Sequence, residues 1–237
     1  MSMIAKESTG SNIEKLENGV YTAVSSMIID LGLQTSEKFQ KTQRKFMMIW
    51  TVLNEEVELN GKKLPRTISK EYGFSLGDKS NLRKDLQAWR GQPFTSDELQ
   101  GFNILSVLNK ACQLQIIKEE KNGNIYNNIS SIMALPKGTT IQGLDDTCHF
   151  DLEDESTWNN WYRIPAWIQE KIKKAENYES SGLNKFVENY EEFLKEQENN
   201  ISTDGDELVS ADRITILMEE CLWKKFGRIL KDMKVIK

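Results

Sequence analysis

The segment that most constrains the fold is an apolar run in which both faces of a strand are hydrophobic. It covers residues 45–53 and reads KFMMIWTVL. Side chains alternate across a strand, so the run presents two apolar faces. These faces are Phe46, Met48, Trp50 and Val52 on one side, and Met47, Ile49 and Leu53 on the other. The pattern predicts a central strand of a sheet.

Four further strands are predicted on compositional and turn signals. They cover residues 19–33, 64–76, 111–120 and 124–135. Asn60-Gly61 marks a turn before the third strand. The last two strands flank Asn122-Gly123, and Asn-Gly favours a type I′ turn because both central residues need a positive φ. The sequence therefore predicts a tight hairpin at its fourth and fifth strands.

A helix is predicted between the third and fourth strands. Ser80 or Asn81 can cap it, its apolar side chains up to Trp89 share a face, and Gly91 ends it. A shorter helix follows over 95–105, capped by Thr95 or Ser96. This element order matches an OB-fold, a five-stranded Greek-key β-barrel whose helix lies between strands 3 and 4. Other small β folds also carry one inserted helix, so the order favours the barrel without requiring it.

Composition divides the chain into three predicted regions. They are a flexible N-terminal segment over 1–18, an OB-fold domain over 19–138, and an acidic, mainly helical C-terminal region over 139–237 with a linker near 198–207. Residues 1–138 hold 18 Lys and Arg against 15 Asp and Glu, whereas the remainder holds 13 against 21. Six carboxylates fall within 145–155, in a stretch that lacks the spacing and glycine of an EF-hand loop. That stretch is interpreted as a solvated acidic linker.

The residues needed for catalysis are scarce. His149 is the only histidine and adjoins Cys148, and adjacent side chains on an extended chain point in opposite directions. The cysteines form no metal-ligand or disulfide pattern, which predicts reduced thiols in a cytoplasm. No apolar run approaches the roughly 18 residues that span a bilayer. The sequence predicts a protein that is not an enzyme, with no cofactor, no metal and no membrane association.

A local excess of basic residues lies in the predicted barrel, although the whole chain has a net charge of -5. Residues 41–94 hold 11 Lys and Arg against 6 Asp and Glu, and such a field attracts polyanions. OB-folds bind ligands on strands 2–3 and the flanking connections 1–2 and 4–5. Basic and aromatic residues of these elements and of the helix are predicted to bind nucleic acid: Lys38, Phe39, Lys41, Arg44, Lys45, Trp50, Arg66, Lys70, Tyr72, Arg83, Lys84, Arg90, Lys118, Lys121 and Tyr126.

Several of the aromatic residues also fit a core. Core packing is favoured for Trp50, which lies on the apolar strand, and for Trp89, which shares a face with leucines. Phe74 fits either role, and Phe39 in its polar connection is the aromatic that a core explains least. Arg66 and Lys70 share a strand face without an obvious acidic partner, which favours a role in binding.

Five segments between residues 18 and 178 carry a family resemblance. They read GVYTAVSSMIIDLGLQ, KFMMIWTVLNE, LPRTISKEYGFSLGDKSNLRKDLQAWRGQPFTSDEL, ACQLQIIKEEKNGNIYNNISSIMALPKG and IPAWIQEKIKKAENY. The most specific block is ISKEY…SNLRKDLQAWRG…PFT. In these segments the chain resembles bacteriophage-encoded single-stranded DNA-binding proteins. The resemblance implies an OB-fold that coats single strands without sequence preference during phage replication and recombination, in the cytoplasm of a bacterial host.

The sequence thus predicts a sequence-tolerant single-stranded DNA-binding protein that acts by phosphate neutralisation and base stacking. The alternative is an OB-fold protein-interaction module of phage assembly or host takeover, which acts through its acidic helical C-terminal region. Phage or host replication and recombination proteins are possible partners of that region. An apolar stripe in the helix predicted over 210–234 could also support a homo-oligomer.

Overall fold

The computed structural model describes residues 15–37, 40–59 and 62–202. The described residues up to Val187 form one compact unit, and those from Glu188 belong to a second. Residues 188–202 are helical. The helix predicted over 210–234 lies outside the described residues.

The first unit is built on a mainly antiparallel sheet that contains all five predicted strands. The strands are β1 (Gly19–Ser36), β2 (Lys41–Leu59), β3 (Lys62–Gly73), β4 (Ala111–Lys121), β5 (Asn124–Met133) and β6 (Cys148–Phe150). Their order is β3-β2-β1-β4-β5, and the short β6 pairs in parallel with β1. β2 therefore lies inside the sheet, between β3 and β1, as its two apolar faces predict. The sequence did not predict β6.

Five α-helices and two 3₁₀ helices accompany the sheet in the described ranges, and the last α-helix continues into the second unit. They are α1 (Asn81–Arg90), α2 (Ser96–Gln100), α3 (Ala166–Lys173), α4 (Tyr178–Ser181) and α5 (Leu183–Ser202), with 3₁₀ helices over Ile104–Val107 and Glu155–Arg163. Ser80 caps α1 by accepting a hydrogen bond from the backbone N–H of Arg83, and Gly91 ends it at φ 68°. Thr95 and Glu98 form a capping box on α2. The predicted caps at Ser80, Gly91 and Thr95 are confirmed, whereas the short helix predicted over 95–105 ends at Gln100.

Each of the two predicted turns is flanked by two strand residues that pair with each other. Lys121 pairs with Asn124, and Asn122 and Gly123 have φ of 53° and 74°. Both central residues are thus left-handed, which confirms the predicted type I′ geometry. The other turn, at Asn60-Gly61, lies outside the described residues, between Leu59 and Lys62, which pair with each other.

The alternating side chains of β2 enter two separate cores. Phe46, Met48 and Trp50 join an inner core, which the apolar face of α1, including Leu86 and Trp89, completes. Met47 and Ile49 join an outer core on the opposite face of the sheet. The outer core is closed by the part of the chain from β6 onward. This part contributes Phe150, Leu152, Trp158, Trp161, Ile168 and Ile172. One strand therefore supports both halves of the unit.

The segment from β6 to the start of α5 belongs to the same compact unit as the sheet, so the predicted boundary at residue 138 does not separate two folded units. Gly32 of β1 shows how closely the segment approaches. A Cβ at this residue, whose φ is +70°, would lie within 2.8 Å of atoms of Leu152, Ala175 and Asn177. Only glycine combines that φ with that approach.

The acidic stretch over 145–155 is folded and not a solvated linker. Asp151 lies 2.7 Å from Arg44, which also contacts Glu153 at 3.1 Å. Asp146 pairs with Arg163 at 2.6 Å. These carboxylates neutralise arginines of the same chain, a long-range pairing that composition does not show. The linker predicted near 198–207 also differs, because α5 continues to Ser202 and the rest lies outside the described residues.

The N-terminal segment is held to the hairpin of β4 and β5 from Leu16 onward. Leu16 is 6% exposed, and its backbone N–H and C=O both bond the Asn127 side-chain amide at 2.8 Å. Glu17 pairs with Lys118, and the Asn18 side chain accepts from the backbone N–H of residue 118. The flexible segment predicted over 1–18 is therefore wrong for residues 16–18, and residues 1–14 lie outside the described residues.

The two edge strands of the sheet, β3 and β5, approach each other. The ammonium of Lys70 on β3 lies 3.5 Å from the carbonyl oxygen of Ile129 on β5, and α1 contacts both strands. In the described part of the chain no backbone ladder joins the two edges, so the sheet is open there. None of the described helices has the length and apolar character needed to cross a membrane.

Candidate nucleic-acid interface

A groove of about 630 Å³ opens where the start of β2 and the end of β3 meet the connection to α1. We call it the basic groove. Its lining consists of Lys41, Gln43, Lys45, Glu71, Tyr72, Gly73, Ser75 and residues 77–82. Lys38 and Phe39, which were predicted to bind, precede this site in the chain and lie outside the described residues.

Cations outnumber carboxylates around the basic groove. Lys41 and Lys79 are exposed, and neither forms an ion pair with a described residue. Lys45 shares Glu71 with Lys171 of α3, so that one carboxylate faces two cations. The other carboxylate of the lining, Asp78, is neutralised by Arg83. The lining itself holds three lysines and two carboxylates, and the adjoining Arg83 and Lys171 raise the excess to three positive charges, which suits a polyanion.

Glu71 is held ionised by its two lysines. Burial alone would raise the pKa of this carboxyl, but hydrogen bonds from Lys171 and Lys45 lower the pKa below its ordinary value. The Lys45 ammonium lies 2.8 Å from one carboxylate oxygen. Glu71 thus fixes both ammonium groups at the wall of the groove.

A half-exposed aromatic residue, Phe74, lies in the chain between two residues that line the basic groove, although Phe74 itself is not part of the lining. Phe74 follows the lining residue Gly73 and is 47% exposed. Its ring centroid lies 4.8 Å from that of the fully buried Phe46, and the Arg44 guanidinium lies 5.2 Å from it. The ring is anchored on the core while about half of it faces solvent. From sequence alone its role was left open, because its neighbours do not show which side of the sheet covers it.

Arg44 is committed to the protein itself. Its guanidinium bonds Asp30 at 2.8 Å and also contacts Asp151 and Glu153. The hydrogen bond to the buried Asp30 raises the pKa of Arg44. With three carboxylates around it, Arg44 offers no net positive charge to a ligand. Its contact with Phe74 helps to hold that ring in place. The prediction that Arg44 binds phosphate is therefore not supported by its surroundings.

Two of the predicted stacking residues are in the core. Trp50 is fully buried and Tyr72 is 4% exposed, so neither ring can stack on a base in this structure. Tyr72 lines the basic groove but donates its hydroxyl to Asp85 at 2.8 Å. These two predictions are wrong, because Trp50 on β2 and Tyr72 on β3 both point into the inner core.

Lys70 also differs from its prediction. Its ammonium lies 2.7 Å from Asp85, a buried carboxylate on α1, so it does have an acidic partner. Arg66, on the same strand, donates its Nε–H to the backbone carbonyl of Glu56 at 3.1 Å. Asp85 is 15 residues away from Lys70 on another element, which is why the strand sequence alone did not reveal the pair.

Arg90 lies at the opposite end of α1 from the basic groove. Its guanidinium is 4.5 Å from the Phe94 ring and 5.2 Å from the Phe102 ring, and it pairs with Glu98. These contacts place Arg90 in a structural cluster rather than in the groove.

The remaining predicted residues are dispersed over other surfaces. Lys84 is exposed on α1, whereas Lys121 and Tyr126 are exposed on the hairpin of β4 and β5. Lys118 pairs with Glu17 on the N-terminal segment. Of the residues predicted to bind, the basic groove gathers Lys41, Lys45 and the buried Tyr72, with Arg83 beside it through Asp78.

Sequence reasoning did not include Phe74, Lys79 and Lys171 in its site. Lys171 is 100 residues from Glu71 in the chain, so no local pattern could connect them. Across the described ranges no group of three or more His, Cys, Asp or Glu side chains could hold a metal ion. No protein-family model matches the chain, and a comparison with curated proteins finds no similar one.

Proposed function

We propose that the protein binds single-stranded DNA in the basic groove and that its curled sheet is an OB-fold. The strand order β3-β2-β1-β4-β5 supports the fold, since the two edge strands approach each other as they do in a partly open five-stranded barrel. The helix between β3 and β4 contacts both edges, which agrees with the same topology. The resemblance to phage single-stranded DNA-binding proteins supports the same proposal.

The observation that carries this function is a cationic groove whose lining includes the two chain neighbours of an anchored, half-exposed ring, Phe74. Lys41 and Lys79 neutralise phosphates, and their exposure makes the binding sensitive to salt. Phe74 stacks on a base, an interaction worth about 1–3 kcal/mol per base. Stacking needs an unpaired base and accepts any of the four, so the protein prefers single strands and tolerates sequence.

The protein acts as a binding protein and not as an enzyme in this proposal. Its setting is phage replication and recombination in the cytoplasm of a bacterial host, with replication or recombination proteins as partners of the C-terminal region. Preference for DNA follows the family resemblance, because the groove residues alone do not report a 2′-hydroxyl contact.

A salt titration with fluorescent oligonucleotides tests the proposal. In the double variant Lys41→Ala and Lys79→Ala, two phosphate contacts are lost, so the slope of log affinity against log salt falls by about 1.4. Phe74→Ala weakens binding by about 1–3 kcal/mol while the slope stays unchanged. The matched control is Lys84→Ala and Lys121→Ala, which removes two exposed lysines outside the groove.

Absence of oligonucleotide binding by the wild type at low salt would reject the proposal in favour of a protein-interaction module. An equal fall of the slope in the control double variant would reject the groove as the site, because the binding would then follow overall charge.

A further inference from the structure

One helix of the first unit exposes a tryptophan. Trp167 of α3 is 55% exposed, although Ile168 and Ile172 on the other side of the same helix are fully buried in the outer core. Residues 167, 171 and 174 are spaced i, i+4 and i+7, so they form one stripe along the helix. The stripe therefore consists of a large exposed ring followed by Lys171 and Lys174.

The α3 stripe adjoins the basic groove. The ammonium of Lys171 bonds Glu71, whose carboxylate lines the groove, so Lys171 belongs to both surfaces. Trp167 lies one helical turn before Lys171, about 6 Å along the helix axis. The groove and the exposed ring are thus joined through a single lysine.

The direction of α3 places the two exposed rings on opposite sides of that lysine. Glu176, just past the end of α3, accepts a hydrogen bond from Thr42 at the start of β2. The start of β2 is also where Lys45 pairs with Gly73, the residue before Phe74. The C-terminal end of α3 therefore lies on the Phe74 side, and Trp167 lies on the other side of Lys171.

We infer that a bound single strand extends from the basic groove across Lys171 and stacks a second base on Trp167. The inference rests on the proposed function and adds a second stacking platform to it. Charge favours a nucleic acid as the occupant, because the ring is followed on its stripe by two lysines. The nearby carboxylate Glu170 is paired with Lys173 on another side of the helix.

Binding measured against oligonucleotide length tests this inference. Wild type, Trp167→Ala and Trp167→Phe are titrated with oligo(dT) of increasing length, from about 4 to about 16 nucleotides, the range of OB-fold site sizes. We expect Trp167→Ala to match wild type on the shortest oligonucleotides and to weaken by about 5- to 150-fold on the longer ones. Trp167→Phe keeps a stacking ring and retains most of the affinity.

Leu105→Ala is the control, since Leu105 is an exposed apolar residue of a different element, 41% exposed. Circular dichroism and thermal unfolding of each variant establish that the fold is intact. Equal affinity of Trp167→Ala and wild type at every length would overturn the inference and leave the groove proposal standing. A weakening at all lengths alike, or a change in oligomeric state without a change in affinity, would also overturn it. Failure of wild type to bind any length would reject the proposed function itself.

Discussion

The two ends of α1 carry similar residues and have different surroundings. At the N-terminal end, Lys79 is exposed, pairs with no described residue and faces the basic groove. At the C-terminal end, Arg90 is enclosed by Phe94, Phe102 and Glu98. In the sequence both ends look like parts of one basic and aromatic cluster. The comparison teaches that a cation is available to a ligand only where the fold leaves it without a carboxylate.

The middle of α1 supplies the largest expected effect, because it fixes both ends to the sheet. Asp85 is 7% exposed and accepts from both Tyr72 and Lys70 on β3. Removing one member of a buried ion pair leaves its partner uncompensated, which costs about 3–5 kcal/mol. We expect Asp85→Ala to lower the free energy of unfolding by that amount in urea denaturation.

The matched control for Asp85 is Asp78, whose side chain is 91% exposed and pairs with Arg83. An exposed ion pair contributes about 0–1 kcal/mol, so Asp78→Ala should leave stability almost unchanged. Equal losses in the two variants would show that α1 is not anchored through its middle.

The sequence predicted local features of the fold well, because these depend on neighbouring residues. The caps of α1, the Asn122-Gly123 turn and the interior position of β2 all follow from short-range rules. The sequence did not predict the contacts between residues that are far apart in the chain. The pairing of β6 with β1 and the outer core under Met47 and Ile49 depend on a segment about 100 residues later in the chain.

The candidate site was predicted less well than the fold, for a related reason. The apolar faces of β2 favoured a core position for Trp50, which is confirmed, yet Trp50 was also included among the binding residues. Lys70 and Arg44 were predicted to bind nucleic acid, although each has a carboxylate partner on another element. Sequence identifies which residues are charged, whereas the tertiary fold decides which charges remain unpaired.

The second expected effect concerns the C-terminal end of α1. Arg90→Ala removes a largely buried guanidinium from two aromatic rings, and such contacts contribute about 2 kcal/mol when desolvated. We expect the free energy of unfolding to fall by about that amount and oligonucleotide affinity at constant salt to stay unchanged. A loss of affinity in a variant that still folds would remove the distinction between the two ends.

The third effect concerns the N-terminal end and is measured in binding. Lys79→Glu places a carboxylate in the basic groove, and we expect affinity to fall by about tenfold, or about 1.4 kcal/mol. The control is Lys84→Glu, an equal charge change at an exposed residue of the same helix. Similar losses in both variants would mean that the helix as a whole, and not its groove end, attracts the DNA.

The smallest effect is a gain in affinity. Glu71→Gln keeps the size of the side chain but releases Lys45 and Lys171 from their shared carboxylate. Both cations then become available to phosphate, and we expect binding at neutral pH to tighten by about two- to fivefold. The control is Glu98→Gln, the same substitution near the C-terminal end of α1. It frees only Arg90, which is enclosed by aromatic rings, so binding should stay unchanged.

Glu71 has two proposed roles: it stabilises the fold through its ion pairs, and it competes with phosphate for Lys45 and Lys171. The pH dependence of the free energy of unfolding separates them. Because its pKa is lowered in the folded protein, the carboxylate stabilises the fold fully above its ordinary value of 4.5, and this contribution is lost as pH falls through the lower folded value. The difference in unfolding free energy between wild type and Glu71→Gln should therefore be constant at neutral pH and shrink below 4.5. A difference that grows on acidification would contradict the ion pairs. If Glu71→Gln had the stability of wild type at every pH but bound DNA more tightly, Glu71 would compete with phosphate for the lysines without contributing to the stability of the fold.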